Sequence, residues 1–369
     1  MRRHLFLNIF MLLVSIKLMA TELPKNQNEL LYGPEWTFYT KEIKFYDWIV
    51  LMSKLVTYFS NLREVENAII GTYNKTGQNG LLIILKNGQR FFIGLDPGVI
   101  EINADPLSLK DWRKSKFFFQ RHVFDLFAKL GYFPHEREGA GHTNIGLQYF
   151  KDKVFLFRNF IVDFLNHQGL QDSLNSQTAN EAFAKPLWKI INKSQLVNLG
   201  FGTFKPFRAV LKYVDELLTS NVANSKKNDI FQLLMNESVL NAREKHNALN
   251  LHSNNPNSVD FHPTDRIEIR TVRPQKNFDS WLLGIEIFEN RIKFLERNFS
   301  DSLLPLVRPR KMADGYESLG QFADYIEDTG AKWKDFEPLL PEVWQNLNSE
   351  NFIRGTIKLP KNKCSMIFL

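Results

Sequence analysis

The sequence predicts an α+β fold in which an antiparallel sheet carries helices packed on one face. Three observations carry this. Apolar runs at 81–85 and 91–95 are joined across Asn87-Gly88, a dipeptide suited to a tight hairpin turn. Asp96-Pro97-Gly98 then turns the chain into a third run at 99–103, which completes a meander. Segments with helical apolar spacing alternate with strands, but the visible strands pair by hairpins, which favours antiparallel pairing.

Each element has a local reason. A strand is expected at 35–39, after Gly33-Pro34, and a helix at 43–62, where apolar residues recur at helical spacing. A second helix is expected at 112–130, with Ser108 and Asp111 as caps. Residues 142–150 read as a strand, and 153–167 fit a strand or a helix. The middle, 181–249, reads as mainly helical, and the stretches 220–229 and 251–263 as polar loops rich in Asn and Ser. Residues 266–272 alternate like a strand, and 281–297 and 319–329 are periodic like helices. There is no internal repeat of structural size, phosphate-binding P-loop, nucleophile elbow or H-E-x-x-H helix.

The chain has 369 residues, 44% of them hydrophobic and 24% charged, a globular balance that excludes disordered and collagen-like classes. A single cysteine, Cys364, excludes an intramolecular disulfide and a Cys-based zinc site. The net charge of +7 permits anionic partners without specifying one. Lys and Arg are scattered and Phe dominates the aromatics at core-like spacings, so no nucleic-acid partner is expected. At the N-terminus, Arg2-Arg3-His4 precedes a short apolar run to Ile16. This reads as a signal peptide and exported localisation, periplasmic or secreted, with an uncleaved anchor, or a buried amphipathic helix in a cytoplasmic protein, as alternatives. No later segment is long and apolar enough to span a membrane. The expected organisation is 1–20 signal or anchor, 21–357 one α+β domain with a helical insertion near 181–250, and 358–369 a basic then apolar tail.

The informative residues are polar ones on otherwise apolar strands. Alternation puts Glu35 and Thr37 on one strand face, and Glu101 and Asn103 on another. In the same way His142 pairs with Asn144, and Arg266, Glu268 and Arg270 share a face. Taken singly, each describes a sheet with one wet face. Together they suggest carboxylates converging on one site, where they need cations to remain ionised. Oxygen ligands with one His suit Mg²⁺ or Mn²⁺, and neighbouring Arg side chains suit phosphate.

The order of these motifs resembles the carboxylate–amine ligases of the glutamine synthetase and glutamate–cysteine ligase superfamily, particularly its amidoligase-like branches. The resembling segments are Gly33-Pro34-Glu35-Trp36-Thr37, Glu101-Ile102-Asn103-Ala104-Asp105-Pro106, Gly141-His142-Thr143-Asn144-Ile145-Gly146 and Arg266-Ile267-Glu268-Ile269-Arg270, with Lys245-His246-Asn247-Ala248-Leu249-Asn250 just upstream of the last. The resemblance implies a curved antiparallel sheet of the glutamine synthetase catalytic kind. It implies an ATP- and Mg²⁺- or Mn²⁺-dependent ligase that joins a small-molecule or peptide carboxylate to an amine through an acyl phosphate. It implies Glu35, Glu101, His142 and Glu268 at metal. It places Arg270, Arg266 and Arg273 at phosphoryl charge, and Asn103, Asn144, Gly139, Gly141 and Gly146 around the nucleotide. The family's second glutamate in the first motif is Thr37 here, so fewer tightly held ions are expected unless Asp105 substitutes. Glu268→Ala is expected to leave the fold intact. The competing reading is a catalytically silent protein on the same fold that binds a nucleotide or an amino-acid ligand.

Overall fold

The computed structural model describes residues 28–39, 45–73, 78–96, 98–134, 141–174, 184, 186–191, 195–196, 203–220, 230–231, 233–238, 240, 248–252, 265–307 and 310–355. The segments 1–20 and 358–369 lie outside these, as do Gly139 and Lys245 to Asn247.

The molecule is α+β. Eight strands form one open antiparallel sheet: β1 (Tyr32–Phe38), β2 (Val65–Tyr73), β3 (Gln78–Leu85), β4 (Arg90–Asp96), β5 (Val99–Ala104), β6 (His142–Gly146), β9 (Leu249–His252) and β10 (Arg266–Ile269). Two two-residue strands, β7 (Gln195–Leu196) and β8 (Thr203–Phe204), make a separate ribbon. The order in the large sheet is β2-β3-β4-β5-β1-β6-β10-β9. The helices are α1 (Phe45–Ser60), α2 (Leu109–Phe119), α3 (Asp125–Lys129), α4 (Val154–Asn166), α5 (Gln168–Leu174), α6 (Leu187–Ile190), α7 (Phe207–Thr219), α8 (Phe278–Phe299) and α9 (Gly315–Glu327). Among the described residues no helix is long and apolar enough to cross a membrane.

The meander β3-β4-β5 follows the turn chemistry of its loops, with Gly88 and Gly98 at positive φ. Ser108 caps α2, accepting from Asp111 N while its hydroxyl donates to the Asp111 carboxylate. One sheet face is apolar. On it Trp36 of β1 meets Trp281 of α8 at 5.2 Å between ring centroids and Phe119 of α2 at 5.4 Å. Trp112 lies 4.7 Å from Trp281, and its indole donates to Tyr32 O at 2.7 Å, which ties α2 to β1. Such offset and edge-on aromatic contacts add to the area these large rings bury.

Two expectations are corrected and one open alternative is resolved. The strand expected at 142–150 ends at Gly146, where Leu147 N turns to Asp265 O and Leu147–Phe150 closes a 3₁₀ turn over buried Leu147 and Phe150. The ambiguous segment 153–167 is helix α4, buried almost all round. Its apolar residues cover every side, which marks a central helix rather than a surface one. Residues 251–252, expected in a loop, belong to edge strand β9.

Candidate functional site

Over β5-β1-β6-β10-β9 the sheet's second face is polar, and the register assembles it. Glu35 on β1 lies opposite Asn103 on β5 and His142 on β6, while Thr37 lies opposite Glu101. Glu268 on β10 lies opposite Asn144 on β6 and Asn250 on β9. Directly paired residues in an antiparallel ladder project to the same face. Four motifs dispersed over more than half the chain therefore meet across five adjacent strands, β5-β1-β6-β10-β9.

His142 stands at the centre. Its Nδ1 is 2.8 Å from Glu35 Oε2 and 3.4 Å from Glu268 Oε1. Asn144 donates to Glu35 Oε1 at 2.9 Å, and Arg266 Nε donates to Asn144 Oδ1 at 2.8 Å. Glu268, 4% exposed, accepts three hydrogen bonds and faces His142 Nδ1. Arg270 lies 3.1 Å from Oε1, which His142 also faces; His252 Nε2 at 2.8 Å and Asn250 Nδ2 at 3.1 Å both reach Oε2. Asn103 donates to Glu101 Oε1 at 2.6 Å.

The electrostatics separate the three carboxylates. Burial pushes Glu268 up, but the hydrogen bond from His252 and the charges of His142, His252 and Arg270 outweigh it and hold the group well below its usual range. Burial likewise raises Glu35, yet the His142 hydrogen bond, helped by His142 and Arg266 charge, brings it net below its ordinary value despite Glu268. Glu101 goes the other way, pushed up to about 7 by burial and then by the charge of Glu35. For His142, burial disfavours the cation, but the Glu35 hydrogen bond and the two carboxylate charges prevail and raise its pKa. A proton on Nδ1 thus sits between two carboxylate oxygens, where a cation would also be stabilised.

The donor set fits such an ion. One ligand atom each from Glu35, His142 and Glu268 lie within 4.8 Å of one another. The two separations from Nδ1, 2.8 and 3.4 Å, bracket the roughly 3 Å expected between neighbouring ligands bonded at about 2.1 Å to one octahedral ion. His142 Nε2 is buried without a hydrogen-bond partner among the described residues. That leaves the ring's place in the site dependent on Nδ1.

Other expected site residues lie elsewhere or do something else. The Arg273 guanidinium donates to Leu339 O and lines a cleft with Pro134, Pro274 and Lys276, away from the carboxylates it was expected to join. Asp105 is held by Arg90 at 2.8 and 3.1 Å, so it does not replace the glutamate missing at Thr37. Gly141 needs no Cβ for another reason than phosphate approach, since one there would stand 2.0 Å from Gln275 Nε2 and 2.6 Å from Arg273 O. A Cβ on Gly146 would make only ordinary contacts at 3.7 Å, so no close approach requires glycine there. Asn250 and His252 were missed as site residues, although Leu249-Asn250-Leu251-His252 alternates as the other site strands do.

No protein-family model matches the chain, and no curated protein sequence matches it.

Proposed function

We propose that this chain is an ATP-dependent carboxylate–amine ligase of the glutamine synthetase and glutamate–cysteine ligase kind, working with Mg²⁺ or Mn²⁺. The observation that carries the reading is the largely buried Glu35–His142–Glu268 group on the polar part of an open antiparallel sheet. These three residues would hold the ion, and an ion there would neutralise triphosphate charge and polarise the phosphoryl group. Arg266 and Arg270 supply fixed positive charge beside the carboxylates, suited to phosphate oxygens. Glu101, raised to about 7, is half-buried beside Glu35 and is suited to take a proton from an attacking amine near neutral pH. The substrates are a small-molecule or peptide carboxylate and an amine.

A second reading, a binding protein on the same fold without turnover, is favoured by one observation. Thr37 stands where a second carboxylate is expected, and Asp105 is committed to Arg90.

ADP release across a panel of carboxylates and amines, with Mg²⁺ or Mn²⁺, separates the two. Nucleotide affinity should be strong only with the divalent ion and weak in EDTA, because clustered carboxylates repel the triphosphate. Equal affinity in both would remove the metal site from the reading. Binding without turnover that becomes turnover in Thr37→Glu would establish the silent protein.

A further inference from the structure

Glu268 can serve an ion only through the oxygen that faces it, and its side chain has three torsions to choose from. Three hydrogen-bond donors and the His142 ring surround it, two groups at each oxygen. His142 and Arg270 lie at Oε1, on the side of Glu35. His252 and Asn250 lie at Oε2, and both come from the edge strand β9. A carboxylate only accepts, so His252 presents Nε2–H, and Oε2 is occupied by two N–H donors. Rotating Glu268 about its last torsion would break both of those bonds.

We infer that His252 is a positioning residue that fixes Glu268 with Oε1 turned toward His142 and Glu35; this rests on the cation reading above. His252 pairs with Arg266 in the ladder, one diagonal step from Glu268, so its ring reaches across the strands to make the bond. The group of ligand atoms within 4.8 Å of one another among the described residues is Glu35, His142 and Glu268, and His252 lies outside it. It therefore orients a ligand and does not bind the ion. Carboxylates that ligate metals are themselves held by hydrogen bonds, and losing such a partner weakens metal affinity by about 10–100-fold. The imidazole side chain is 25% exposed at the sheet edge, so its loss opens the site to water more than it empties the core.

The experiment is Mn²⁺ titration of the full chain, followed by the electron paramagnetic resonance signal of free Mn²⁺, with no nucleotide present. Wild type should bind, His252→Ala should bind roughly 10–100-fold more weakly, and His252→Gln, which keeps an N–H donor, should recover most of the loss. Should His252→Ala not fold, His252→Met, which fills the space without a donor, carries the same comparison. Wild-type binding with unchanged affinity in the donorless variant overturns the positioning role and leaves the cation reading standing. Absence of Mn²⁺ binding by wild type overturns both. Nitrogen couplings from two imidazoles in the bound Mn²⁺ spectrum would make His252 a ligand and also overturn the inference.

Discussion

At the scale of single residues, the site side chains are structural as well as chemical, and this changes what substitution should do. Glu268 is buried with three hydrogen-bond donors, so Glu268→Ala deprives Arg270, His252 and Asn250 of their common acceptor and removes a carboxylate facing His142. Contrary to the sequence expectation of an intact fold, breaking such a buried pairing should cost about 3–5 kcal/mol, read as a lower midpoint in urea unfolding. Glu268→Gln keeps the shape and should cost less. Gly141→Ala is a second case: its Cβ would overlap Gln275 and the Arg273 carbonyl, and about 1–3 kcal/mol of overpacking is expected in thermal melts. An unchanged melting temperature in Gly141→Ala would mean that the 273–275 segment yields freely. The residues that sequence located well, Glu35, His142, Asn144 and Glu268, were polar marks on apolar alternation, which encodes the face directly. Arg273 was expected at the site from the resemblance alone, beyond the alternating strand, and it bonds Leu339 O instead.

At the scale of elements, legibility followed the strength of local signals. The hairpin across Asn87-Gly88 and the capped helix after Ser108 carry their own turn and cap chemistry, and both form as expected. Strand β2 was not foreseen. Adjacent Ile69 and Ile70 break its alternation, and a bulge between Val65 and Asn67 shifts the faces within it. Strand β9 is four residues long, too short for periodicity to distinguish it from the loop after it. Helix contacts are invisible at this level, and the crossing of α5 and α9 shows why. Gly169 approaches Ser318 and Gln321 so closely that a Cβ would stand 2.7 Å from Gln321 Cβ, and its N–H donates to Gln321 Oε1 at 2.7 Å. On α9, a Cβ at Gly320 would stand 1.9 Å from Ile353 O. Gly320→Ala should therefore push the 349–355 segment off the helix. The check is faster amide hydrogen exchange confined to that segment, together with a loss of about 1–3 kcal/mol. Unchanged exchange there would refute the close packing.

At the scale of the whole molecule, one buried charge holds the helical part together. Arg291 of α8 is fully buried and bonds both oxygens of Asp163 on α4 at 2.7 Å. It also donates to Tyr325 O at 3.1 Å and Asp328 Oδ2 at 3.0 Å, so a single guanidinium joins α4, α8 and the end of α9. Removing it leaves Asp163 buried without its main cation. Arg291→Met should thus cost about 3–5 kcal/mol, whereas Asp163→Asn combined with Arg291→Met should cost less than the two changes summed. Strict additivity in urea unfolding would deny the coupling. The same region gives stability a pH dependence. His167, on the turn between α4 and α5, is buried against Tyr325, and burial lowers its pKa despite the nearby charge of Asp163. Below its ordinary value of 6.5 the unfolded chain takes up a proton that the folded protein resists. Its contribution is therefore full above that pH and is lost progressively as pH falls toward the lower folded value. His142, whose pKa is raised, acts with the opposite sign and favours the folded state at low pH. The net slope of wild type mixes the two, so the decisive quantity is a difference between variants. Between pH 7.5 and 5.5, unfolding free energy should fall less steeply in His167→Asn than in wild type, because the substituted side chain no longer titrates. Parallel curves for the two proteins would show that His167 is protonated as easily in the fold as outside it.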